Sequence, residues 1–104
     1  MIQDPIVESV RQMKEFVEAI KRNVLLEAAK QDDLSEFARQ LTGLQETAKK
    51  ILSYLPDRDL PEDKFEEAKK LLQEILQIDA KKKLDKQRIS DLEKRVKQLE
   101  DLLR

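Results

Sequence analysis

The chain has 104 residues, of which 41% are charged, 39% hydrophobic and 4% aromatic, with one glycine and three prolines. That profile belongs to long helices and coiled coils and excludes a strand-rich fold. A net charge of −1 gives no bias toward nucleic acid or an anionic membrane, and the lack of cysteine and histidine removes disulfides, zinc–thiolate sites, thiolate nucleophiles and the commonest general base.

Asp4-Pro5 is a helix start, an aspartate N-cap followed by proline at the first helical position, where its missing N–H is not needed. Ile6, Val10, Met13, Val17, Ile20 and Val24 then recur at spacings of four and three, a heptad seam widened by Phe16, Leu25, Leu26 and Ala28. So wide an apolar face suits a helix with two neighbours. Asp33 followed by Glu36 reads as a capping box that opens a second helix at Leu34. Its seam is Leu34, Phe37, Leu41, Leu44, Ala48, Ile51 and Leu55, and the short connection makes the first two helices an antiparallel hairpin. Gly43 lies beside this seam, where it reads either as a close helix approach or as a tolerated glycine.

Residues 55–61 form a loop with proline near both ends, and Pro61 opens a third helix with Glu62 and Asp63 in its first turn, where the helix dipole favours negative charge. From there to Arg104 there is neither proline nor glycine. Ala68, Leu71, Ile75 and Ile78, flanked by Phe65 and Leu72, share one heptad frame with Ile89, Leu92, Val96, Leu99 and Leu103. Between the two sets the frame places Lys82 and Asp85 at core-type positions.

The expected fold is therefore all-α. It is an antiparallel three-helix, left-handed bundle over residues 1–88 (helices over about 5–31, 34–55 and 61–88), whose long third helix extends over 89–104 into a projecting coiled coil. β-Branched residues at a (Ile89, Val96) with leucine at d (Leu92, Leu99) favour a parallel two-stranded coil. In register, Arg88 would face Glu93 and Arg95 would face Glu100 of a second copy. Two heptads are short for a stable coil, which points to further contacts or a longer seam. The alternative fate of the same amphipathic helix is to fold against the bundle of its own or another chain.

Catalytic and ligand-binding patterns are missing at the level of residue type. The run from Ala80 to Arg88 lacks the asparagine and arginine pattern of a basic-zipper DNA helix, and Asp79 and Asp85 flank or interrupt it. Asp57, Asp59, Glu62 and Asp63 cluster as a calcium loop would, but without its glycine and with Pro61 where a ligand is wanted; helix capping accounts for them. Di-iron bundle motifs require histidine. The most apolar short run, at 23–29, is far below membrane-spanning length and carries Glu27. The turn Ser53-Tyr54-Leu55-Pro56 before a long returning helix resembles the helical-hairpin subunits of large eukaryotic assemblies such as Mediator, a likeness of turn and pattern that implies no residue roles.

The functional expectation is a non-enzymatic, intracellular (cytoplasmic or nuclear) structural and oligomerisation module. It would self-associate through the seam Ile89, Leu92, Val96, Leu99 and Leu103, with Arg88, Glu93, Arg95 and Glu100 setting register. No catalytic residue, metal, cofactor, small-molecule ligand, nucleic acid or membrane is expected. The alternatives are a subunit of a hetero-complex, presenting the same seam or the flank of Phe16 and Leu25 to a partner helix, and a designed or fusion scaffold.

Overall fold

In the computed structural model, residues 5–27, 35–79 and 85–103 are described. Among them are four α-helices and no strand: α1 (Pro5–Glu27), α2 (Ser35–Tyr54), α3 (Glu62–Leu76) and α4 (Lys86–Leu103), with a 3-10 turn at Leu55–Asp57 between α2 and α3. The expected capping box of Asp33 and Glu36, the side chains of Val24, Leu25, Leu26, Ala28 and Leu34, and Lys82 lie outside the described residues.

The all-α expectation holds. The hairpin of α1 and α2 also forms as its seams require. Met13, Ile20, Leu41, Leu44, Ala48 and Ile51 are fully buried between the two helices and their neighbours, and Phe37 is nearly so. The helices run antiparallel, with Asn23 Nδ2 donating to Gln40 Oε1 near the closed end at 3.5 Å. Gly43 is a close approach: a Cβ placed on it would stand 2.5 Å from Cε1 and Cζ of Phe16, so the phenyl ring fills the space that a side chain would occupy. Thr47, buried on the next turn, satisfies its hydroxyl by donating to the Gly43 carbonyl at 2.8 Å.

Beyond the hairpin the architecture departs from a three-helix bundle. Leu55 is buried at the turn, Arg58 N–H bonds the Leu55 carbonyl at 3.0 Å, and Pro61 stands at the N-cap of α3. The third helix then stops at Leu76 instead of running on to residue 88. Residues 86–103 form a separate helix, α4, which returns antiparallel to α1 and does not project as a coiled coil. The amphipathic stripe of α4 covers the second apolar flank of α1 and keeps it out of water.

Each helix packs on two neighbours in the cyclic order α1, α2, α3, α4, giving a four-helix bundle with one contiguous core. Ala68, Leu71, Leu72 and Ile75 supply the buried face of α3, while Phe65, Leu76 and Ile78 are partly buried against the core. Among the described residues, the frame read from the sequence assigns the inward face of each helix correctly. It does not specify that the third helix divides in two.

Candidate functional site

The residues that the sequence singles out for association all lie on α4. Ile89, Leu92, Val96, Leu99 and Leu103 are buried, none more than 4% exposed, on the face that meets α1 and α3. Val96 shares a shallow groove with Val17 of α1, and Leu103 shares one with Val7 and Val10. The seam is thus occupied by the chain's own bundle.

The register charges are brought into the same interface. Glu100 accepts from Lys14 Nζ at 3.1 Å, and Glu93 accepts from Lys21 Nζ at 3.5 Å, two α1–α4 pairs one heptad apart. Arg95 Nε donates to Glu74 of α3 at 2.6 Å. Arg88 is exposed at the start of α4, beside Glu74, Asp79 and Asp91. The side chains of the three ion pairs are between 24% and 54% exposed, so each contributes at most about 1 kcal/mol. Apolar burial, not charge, holds α4 in place.

Three polar groups fix the ends of this helix and of its predecessor: Asp85, which the sequence reading placed at a core-type position, and Arg58 and Gln45, which it passed over. Asp85, expected at a core-type position of a continuous helix, is the N-cap of α4: its Oδ1 accepts from Arg88 N–H at 2.8 Å, and its carbonyl takes the first helical bond from Ile89 N–H at 3.0 Å. At the other end, the Arg58 guanidinium donates to the Leu103 carbonyl, placing a cation at the negative end of the helix dipole. Gln45, half-buried on α2, points its amide at the end of α3 and donates to the carbonyls of Ile75 (3.2 Å), Leu76 (3.3 Å) and Ile78 (3.0 Å). An aspartate immediately before a helical run is a signal available in sequence. Nothing local marks Gln45 or Arg58, because each acts on an element remote from it in the chain.

The other candidates are quickly placed. Phe16, considered as part of a partner-binding flank with Leu25, lies on Gly43. Glu62 and Asp63 sit in the first turn of α3, as the dipole argument expects. Among the described residues no group of three His, Cys, Asp or Glu side chains is arranged to hold a metal ion, and no helix is long and apolar enough to cross a membrane. No family model matches the chain, and no curated protein or solved structure is significantly similar to it.

Proposed function

We propose that this chain is a non-enzymatic assembly module in which α4 is the associating element and a second copy of the chain is its partner. The observation that carries this reading is the chemistry of the α4 interface. A complete apolar stripe is flanked by ion pairs that are exposed and individually weak, so any surface offering the same stripe and the same charges will hold α4 equally well. The bundle of a second copy offers both by identity. Composition supports the non-catalytic part, since a chain without cysteine or histidine lacks the side chains that most often act as nucleophile or base.

The test is molar mass by light scattering across a wide concentration range. A concentration-dependent dimer is expected, and a monomer at every concentration overturns the reading. Aspartate at Val96 and Leu99 does not discriminate by itself, because both side chains are buried in the single-chain bundle and their replacement would also undock α4. A partner helix from a different chain is the second reading, and the same seam would serve it. Its signature is a chain that stays monomeric alone and gains mass only when that partner is added.

A further inference from the structure

The junction between α3 and α4 sets local preference against the fold. From Gln77 to Lys86 there is no glycine or proline, and glutamine, alanine, lysine and leucine, all good helix formers, make up most of the run. The seam is in phase on both sides, since Ile75 and Ile89 are two heptads apart. Left to local preference, one helix would run from Glu62 to Leu103. α3 nevertheless ends at Leu76 and α4 begins only at Lys86, with no positive-φ residue among those described. Among the described residues, two side chains satisfy the groups freed at the two sides of the break. Gln45 occupies the carbonyls of Ile75, Leu76 and Ile78, which a continuing helix would give to the N–H groups of residues 79, 80 and 82. Asp85 takes the N–H of Arg88, which a continuing helix would direct to the Leu84 carbonyl. Such conflicts between local preference and fold concentrate at sites with a second use.

We propose that Gln45 and Asp85 are the latch of an exchange dimer: when the helix runs through the junction, α4 leaves its own bundle and docks in the vacated place on a second copy, which reciprocates. The proposal rests on the reading of α4 as the associating element and specifies how it associates. An unbroken helix from Glu62 to Leu103 is roughly 63 Å long and carries α4 clear of the bundle it came from. Exchange then restores every α4 contact between chains, including Lys14 with Glu100, Lys21 with Glu93 and Glu74 with Arg95. A parallel coil of two α4 helices buries the seam for only two heptads and leaves the apolar flanks of α1 and α3 uncovered in both copies. Exchange leaves nothing uncovered. Only the junction differs between the two forms, so the junction sets the balance between them.

The experiment uses the full chain, whose lack of cysteine leaves introduced thiols unique. Lys14→Cys and Glu100→Cys chains are mixed, unfolded, refolded together and treated with a short bis-maleimide; Arg95→Cys and Glu100→Cys chains are treated in parallel. Exchange links the first pair between chains and not the second. Gln45→Ala and Asp85→Ala each raise the dimerisation constant about 25-fold, because a lost cap changes each junction by roughly fivefold and a dimer contains two. Lys82→Pro forbids the continuous helix and suppresses the dimer. A dimer that links through Arg95→Cys and Glu100→Cys alone overturns exchange while leaving the assembly reading intact. Absence of any dimer in all variants overturns both. If Gln45→Ala and Asp85→Ala lower thermal stability without shifting the dimerisation constant, the latch role is wrong.

Discussion

The two halves of this bundle are built on the same heptad arithmetic and reach different outcomes. In the α1–α2 half, seam, hairpin and close approach at Gly43 are all local in origin. In the α3–α4 half the frame stays in phase from Ile75 to Ile89, but α3 ends at Leu76 and a separate helix, α4, begins at Lys86. The contrast separates two kinds of information. A heptad frame specifies which face of a helix is apolar, whereas the point at which a helix ends depends on the partners available to its terminal carbonyls and N–H groups. In the α3–α4 half those partners are Gln45, one helix away, and Asp85, a cap that only matters once the helix has been broken.

The largest expected effect tests whether the α4 seam is core in the same sense as the α2 seam. Leu99→Ala and Leu44→Ala each remove a fully buried leucine, and each should lower the unfolding free energy by about 2–5 kcal/mol in urea titrations. A projecting helix would give the first variant almost no effect on the monomer. Next, Gly43→Ala sharpens the account of the hairpin. In the native chain the new methyl displaces the Phe16 ring and lowers stability. In a Phe16→Ala background the same change removes only the helix-propensity penalty of glycine and raises stability by about 1 kcal/mol. Denaturation of the four proteins gives the sign reversal directly.

Asp85→Ala and Gln45→Ala come third. Each should cost the closed monomer about 1 kcal/mol of stability, read at concentrations too low for association. The smallest effect belongs to the exposed pairs. Lys14→Ala or Lys21→Ala should change stability by less than about 1 kcal/mol, and the change should shrink as salt is added. Losses of several kcal/mol there would mean that charge, not the apolar stripe, seats α4.

Much of this was legible in the sequence. The all-α class, the hairpin, the loop at 55–61 with Pro61 before α3, and the inward positions of every helix follow from periodicity, proline and capping signals. The seam residues of α4 are buried where the helix meets α1 and α3 of its own chain, which the frame alone did not specify. Asp85 was visible as an aspartate out of place in an apolar frame, and its capping role followed only once the helix was seen to restart beside it. Gln45 was not legible at all. A half-buried glutamine beside a leucine seam reads as a solvated flank, and its three acceptors lie some thirty residues further along the chain.

The measurement that bears most directly on the central claim is molar mass by light scattering over a concentration series, run on the native chain and on Asp85→Ala side by side. The expected result is a mass near 12.2 kDa at the dilute end, rising toward twice that value, with the midpoint for Asp85→Ala displaced to about 25-fold lower concentration. A mass of 12.2 kDa at every concentration in both proteins would contradict it.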